Sequence, residues 1–232
     1  MDGLPVIVHV FRNALRSRLA DTVIVATDDY DIHKAVLENG GVAVMTSPAH
    51  PSGSDRVAEA VASIEECEFI VNIQGDEPRI PPSLVDAVFG ELERGEQVVT
   101  AARALRNPGE LSDPSRVKVV LDCHSRALLF SRSAIPFARD EQEKPLQLST
   151  ARIHVGLYGF RRSVLLNFPA MPRPAIEELE KLEQLRLVYA GIPIKVLDCG
   201  DFGDSIDTRE DLESFIRAVQ NREDADIPRR SS

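Results

Sequence analysis

The chain has 232 residues, 43% hydrophobic and 28% charged, which suits one globular domain with a sizeable core and excludes a disordered chain. A formal net charge of −10 and a pI near 5.0 argue against sequence-independent attraction to nucleic acid or to an anionic membrane, so a polyanionic ligand has to be met by locally placed Arg, Lys or metal. No stretch is apolar enough to span a membrane, and "MDGLPVIVHV" has an acid where a signal peptide needs a basic start.

In chain order, Pro5 suits a first helical position, and Val6, Val10, Ala14 and Leu15 recur on one face, predicting a helix over 5–18. "TVIVAT" (22–27) has the β-branched run of a strand buried on both faces. A helix over 30–38 ends at Gly40 and Gly41, and a strand follows over 42–46. A helix over 54–65, the strand "FIVNIQ" (69–74), a helix over 82–94 and the strand "VVTAAR" (98–103) come next. This alternation predicts βαβ units, hence an α/β fold with a mostly parallel central sheet and helices on both faces. The second half differs. Residues 117–122 and 127–132 read as a hairpin, "RIHVGLYGF" (152–160) as a further strand, and 141–150 as a polar, mobile connection. A helix over 175–190, the strand "IKVLD" (194–198) and a capped helix from "DTREDL" complete the pattern. The economical description is one domain over 1–220 with a β-rich insertion near 117–160, and a disordered tail over 221–232. Cys67, Cys123 and Cys199 are odd in number and scattered, which reads as reduced thiols of a cytosolic protein acting as small core residues.

Ligands of open parallel sheets bind beyond the carboxyl ends of strands, where Gln74, Gly75, Asp76 and Glu77 fall. Asp76 offers hard oxygens suited to Mg²⁺, which takes one or two carboxylates beside phosphate oxygens; alternatively this is an acidic turn satisfying backbone donors. In "SGSDRVAEAV", Ser54 reads as an N-cap; alternatively Gly53 and the hydroxyls of Ser52 and Ser54 approach a nucleotide while Arg56 makes a charge-assisted contact. Alternation along 152–160 puts His154, Gly156 and Tyr158 on one face, suited to a polyhydroxylated ligand or to cross-strand packing. Glu183 and Gln184 lie beside a Leu stripe where such residues are usually solvated, with Glu177 and Lys181 as an i,i+4 pair. Asp207 reads as an N-cap paired with Glu210, or as a second metal-binding carboxylate.

Taken in order, "VIVATDD", "SGSDRVAE", "VNIQGDEP", "DPSRVKVVLD", "LLFSRSAIPF", "HVGLYGF", "LEKLEQLR" and "IDTREDL" resemble the 3-deoxy-manno-octulosonate (KDO) cytidylyltransferases, also called CMP-KDO synthetases, from near Met1 to about residue 220. The resemblance implies a Rossmann-like nucleotidyltransferase fold and an enzyme that joins KDO to CTP, giving CMP-KDO and diphosphate for lipopolysaccharide synthesis. It implies a cytoplasmic homodimer formed through the β-rich insertion. Asp76 and Asp207 would be catalytic Mg²⁺ ligands. Gln74, His154, Tyr158, Glu183 and Gln184 would surround the sugar, and Ser52, Gly53, Ser54, Arg56 and Gln74 would face the nucleotide. The alternatives are a cytidylyltransferase for a sialic acid or an amino-substituted octulosonate, and a non-catalytic sugar-binding or dimer-partner subunit. Members of this family open with a strand and a basic loop of the kind "IPAR..S.R.PGKPL"; this sequence starts at the part that follows, with Leu4 where a Lys is supplied. The expectation is an N-terminally incomplete version of an active enzyme, with little or no CTP-dependent activity in the polypeptide as given.

Overall fold

A computed structural model describes residues 4–64, 66–203, 205–206 and 208–226, with side chains followed to residue 218. Helix α1 (Val6–Ala14) buries Val8, Val10, Phe11 and Ala14. It stops short of residue 18 because the Asp86 carboxylate collects the Ser17 hydroxyl and the backbone N–H groups of Arg18 and Leu19. Strand β1 (Ile24–Thr27), helix α2 (Tyr30–Glu38) and strand β2 (Val42–Met45) form a βαβ unit whose two strands pair in parallel as a separate sheet. Helix α3 (Gly53–Ala62) is capped by Ser52, not Ser54: the Ser52 hydroxyl accepts from the Asp55 N–H and donates to its carboxylate.

Strand β3 (Phe69–Ile73), helix α4 (Pro82–Glu93, with Pro82 at its first position), strand β4 (Val98–Ala104) and the short helix α5 (Gly109–Ser112) follow. The hairpin of β5 (Lys118–Leu121) and β6 (Ala127–Ser131) is antiparallel, as expected. Residues 141–150 are not a loose connection: a 3₁₀ turn (Glu141–Glu143) closed by a capping box on Asp140 runs into helix α6 (Lys144–Thr150). Strand β7 (Arg152–Arg161), helices α7 (Arg162–Asn167), α8 (Ala175–Glu180) and α9 (Leu185–Tyr189), strand β8 (Ile194–Asp198) and helix α10 (Arg209–Asp226) complete the chain. The backbone of 221–226, expected as part of a disordered tail, continues α10, and 227–232 lie outside the described residues.

The main sheet has six strands, and β7 organises it. One edge of β7 pairs with β4 along its length, and the other is shared, β5 taking Arg152 and Ile153 while β3 takes Leu157 to Arg161. All three pairings are antiparallel, and β4 with β8 is the parallel pair of this sheet. The expected mostly parallel sheet is therefore corrected to a mixed one. The βαβ pattern reports correctly that β3 and β4 run the same way, but not that a strand from the second half lies between them. Helices cover both faces. Val155 and Leu157 pack with Leu84, Val85, Val88 and Leu92 of α4, whereas Tyr158 and Phe160 pack with Ala58 and Val61 of α3 and with Leu165 and Phe168. Gly159 is needed for this contact: a Cβ there would come 2.3 Å from Val88 Cγ1. All three cysteines are free; Cys67 and Cys199 are half-buried, while Cys123 is exposed and is no core residue. Among the described residues no helix is long and apolar enough to cross a membrane.

Candidate active site

A cavity of about 990 Å³ opens where β3 and β5 part company on β7. Its floor is the seam itself: His154 N–H donates to Val117 O on one side, and Gln74 N–H donates to Gly156 O on the other. β7 carries two extra residues at this point, since Thr100 pairs with Tyr158 but Ala101 pairs with Val155. The bulge brings Gly156 under Gln74, whose side-chain oxygen would stand 2.6 Å from a Cβ at 156, so only glycine lets the amide lie there.

At the end of β3, Gln74, Gly75, Asp76 and Glu77 all reach the cavity wall. Of the two carboxylates, Glu77 meets the turn's own needs, accepting from Gly156 N–H at 3.3 Å. Ile206 N–H donates to Asp76 O at 2.8 Å, which carries the chain one residue short of Asp207 onto the end of β3. Asp207 itself lies outside the described residues. At the start of α10 the side chains of Thr208 and Asp211 accept from each other's N–H at 3.1 and 2.9 Å, and the expected pairing of Asp207 with Glu210 lies outside the described residues.

Ser52, Gly53 and Arg56 line the cavity at the first turn of α3, with Arg56 bound to Asp28 at 3.0 Å and to Thr46 Oγ1 at 2.7 Å, tying α3 to the ends of β1 and β2. Ser54 is buried behind them, and its hydroxyl donates to Glu183 at 2.7 Å. Glu183 and Gln184 reach the cavity because the expected helix over 175–190 is broken at Lys181, which takes a left-handed conformation with φ 53°. The expected pair of Glu177 with Lys181 does not form. Glu177 turns inward and grips Arg186 through two hydrogen bonds of 2.9 and 2.5 Å. Gln184 is likewise buried, not solvated.

His154 and Tyr158 of β7 also line the cavity, their ring centroids 5.2 Å apart. Burial alone drives the His154 pKa down to about 3, so the ring is neutral at any working pH. Burial, then the charge of Glu183, pushes the Tyr158 phenol well above its ordinary value. A depressed His pKa makes stability rise with pH between about 3 and 6.5 and drop on acidification, because the unfolded chain takes up a proton below about 6.5 that the native ring refuses until about 3. His154→Gln is therefore expected to flatten the slope of unfolding free energy in that window by about 1.4 kcal/mol per pH unit, one proton's worth. Urea denaturation at several pH values measures it, and an unchanged slope contradicts a buried neutral ring.

Several wall residues were not singled out as site candidates, although they lie in segments that carry the family resemblance. Arg116 and Arg132 line the cavity and are positioned by Lys118, which is wholly buried. Its ammonium donates to Asp113 O, Arg116 O and Arg132 O at 2.8, 2.6 and 2.5 Å, clamping two loops together. With Arg56, Arg103, Arg173 and Lys181, six basic side chains among the described residues line a cavity in an acidic chain. Arg56, Arg103 and Arg173 are paired with Asp28, Glu110 and Asp55, and Asp76, Glu77, Glu177, Glu178 and Glu183 share the lining, so cations are placed locally without a large excess of positive charge. The signal was available only in "DPSRVKVV" and "LLFSRS", where nothing in the spacing separates a clamp from an ordinary strand end.

A sequence profile of the cytidylyltransferase family matches residues 1–196. The 3-deoxy-manno-octulosonate cytidylyltransferase of Anaeromyxobacter sp. (strain K) is 46% identical over 212 residues, covering 91% of this chain and 85% of that protein. The enzyme of the same name from Thermodesulfovibrio yellowstonii is 40% identical over 220 residues, covering 90% and 86%. Among solved structures, a CMP:2-keto-3-deoxy-manno-octonic acid synthetase complexed with CTP superposes with a TM-score of 0.84 at 38% identity, over 94% of this chain and 88% of that one. The 4-diphosphocytidyl-2C-methyl-D-erythritol synthase of Anaerococcus prevotii, at 13% identity and a TM-score of 0.60 over 94% and 87%, shares the fold. A cavity at the carboxyl end of β3, walled by Asp76, His154 and Tyr158 and rich in cations, sits in a chain that belongs to the cytidylyltransferase family, among its 3-deoxy-manno-octulosonate cytidylyltransferases.

Proposed function

We propose that this chain transfers the CMP group of CTP to KDO, releasing diphosphate, to supply an activated sugar for lipopolysaccharide synthesis. The observation that carries the reading is one cavity lined by Asp76 at the end of β3, by His154 and Tyr158 of β7, and by Arg56, Arg103, Arg116, Arg132 and Arg173. The anomeric hydroxyl oxygen of the sugar bonds to the α-phosphorus as the bond from that phosphorus to the diphosphate oxygen breaks, and the hydroxyl proton is lost to solvent. Catalysis of this kind is mainly positioning and charge stabilisation, and no side-chain nucleophile is required. His154, with a conjugate acid near pKa 3, is too weak a base to take the proton and serves as a hydrogen-bonding group.

Mg²⁺ fits the donor set. Asp76 is a hard carboxylate on the cavity wall, the Ile206 to Asp76 hydrogen bond brings the neighbour of Asp207 to it, and Mg²⁺ commonly takes one or two protein carboxylates. Asp76 and Asp207 would hold the ion, which when bound offsets phosphate charge and orients the leaving group. The clamp of Lys118 aims Arg116 and Arg132 at the same cavity, where their charges suit phosphates or the sugar carboxylate.

The chain is further proposed to act in the cytoplasm as a homodimer joined through its insertion, whose Leu128, Phe137 and Leu146 are 58%, 84% and 67% exposed. Sedimentation of the purified chain tests this, a strict monomer at micromolar concentration excluding it. The function is tested by incubating the chain with CTP, Mg²⁺ and, in turn, KDO, an amino-substituted KDO and a sialic acid, and weighing the products. CMP-KDO as the preferred product supports the reading, and its formation at an ordinary rate overturns the expectation that the polypeptide as given has little or no CTP-dependent activity. An equal or faster reaction with a sialic acid overturns the reading.

A further inference from the structure

Thr100 is wholly buried on β4, and its hydroxyl touches two groups. It lies 2.7 Å from Leu157 O and 3.1 Å from His154 Nε2. A carbonyl oxygen can only accept, so the single hydroxyl proton is committed to Leu157, and towards the imidazole the hydroxyl presents lone pairs alone. An unprotonated Nε2 would set lone pair against lone pair in a buried site, so the ring proton belongs on Nε2. The ring cannot escape by turning. Phe130 stands edge-on to it with centroids 5.3 Å apart at 85°, and Tyr158 leans on it at 5.2 Å.

A neutral imidazole with its proton on Nε2 has its one acceptor at Nδ1, and His154 lines the cavity. Beside it the buried Tyr158 phenol makes no hydrogen bond of normal geometry, its nearest hydroxyl neighbour being Thr100, which slightly offsets the rise in its pKa, and a ligand acceptor can take its proton. Resting on the reading of this wall as the sugar-acid subsite, we propose that Thr100 is a positioning residue that fixes His154 as the Nε2–H tautomer, making Nδ1 an acceptor for a sugar hydroxyl. The polarity of the wall is thereby set before substrate arrives. Tyr158 gives a proton and His154 receives one, so the subsite discriminates by the order of donors and acceptors as well as by shape.

The test follows the five histidines by NMR of ¹⁵N-histidine-labelled protein, assigning the His154 signals by their absence in His154→Gln. The expected result is a protonated Nε2 and a bare Nδ1 in the parent chain. In Thr100→Val, which removes the hydroxyl and keeps the branched shape, the tautomer bias is lost and KDO binding measured by calorimetry weakens about tenfold, the worth of one hydrogen bond. Thr100→Ser retains both properties, separating the hydroxyl's role from packing. A parent chain with its proton on Nδ1, or an unchanged tautomer in Thr100→Val, overturns the assignment. A tautomer that shifts while KDO affinity stays constant overturns the link to the sugar and leaves the tautomer assignment standing. Loss of KDO binding in the parent chain itself, with the tautomer as expected, counts against the sugar subsite alone.

Discussion

Asp76→Asn is expected to cut CMP-KDO formation by about 10²–10³-fold, the loss typical of removing one group that stabilises charge in a transition state. The substitution keeps the size and shape of the side chain and leaves the backbone carbonyl of residue 76 to accept from Ile206 N–H, so the end of β3 stays intact. What disappears is the negative charge at the cavity wall. The same variant is therefore expected to bind a divalent cation more weakly in the presence of CTP, an effect that electron paramagnetic resonance with Mn²⁺ reads independently of turnover. Unfolding midpoints of parent and variant should agree closely. Cation binding and product formation both within threefold of the parent would remove Asp76 from the metal site.

The second large effect is one of stability. Arg186 is 1% exposed, bonds twice to Glu177, donates to Phe168 O at 3.1 Å, lies 3.6 Å from Asp55 and stacks 4.0 Å over the Phe168 ring. Arg186→Leu strands the buried Glu177 carboxylate without its cation and leaves Asp55 with Arg173 alone, and breaking such a group by removing one partner costs about 3–5 kcal/mol. The double variant Arg186→Leu with Glu177→Leu is expected to recover a large part of that loss, because the remaining apolar pair leaves less charge uncompensated. Urea midpoints measure both. If the single variant loses less than about 1 kcal/mol, the network is not the brace described. The position matters because Asp55 lies in the first turn of α3 and Glu177 at the start of the broken helix, so Arg186 ties together the two segments that carry Arg56 and Glu183.

Several elements were legible because their signals are local. Hydrophobic period placed α2 and α4 within a residue, and alternation put His154 and Tyr158 on one face. The position of Asp76 at a strand end was equally readable, since it needs only the end of an apolar run and the orientation of the sheet. The failures share a cause: each was decided by a partner distant in sequence. Glu177 and Arg186 both lie within 175–190, but what draws Arg186 inward lies outside that stretch, in Asp55 of α3 and in Phe168, and the helix breaks at Lys181 to let the two meet. The place of β7 between β3 and β4 is a property of the whole sheet. Thr100 is invisible for the same reason, since a Thr in a buried strand is ordinary until its hydroxyl is seen between Leu157 and His154. The Lys118 clamp reads as a charged residue in a strand, and only the folded loops show why it is buried.

The central place of β7 has a consequence for how the chain assembles. Phe69 pairs with Arg161 and Ile73 with Leu157, so β3 emerges from the ribosome long before the strand that will hold it. Until then its edge, and that of β4, offer unsatisfied backbone groups to any other nascent chain. High contact order of this kind slows folding and leaves such edges exposed to misassembly. The separate β1–α2–β2 unit pairs over a short span and can form early, whereas the catalytic seam comes into being only when residue 161 has joined the sheet. Formation of the site therefore waits on the arrival of β7 in the main sheet.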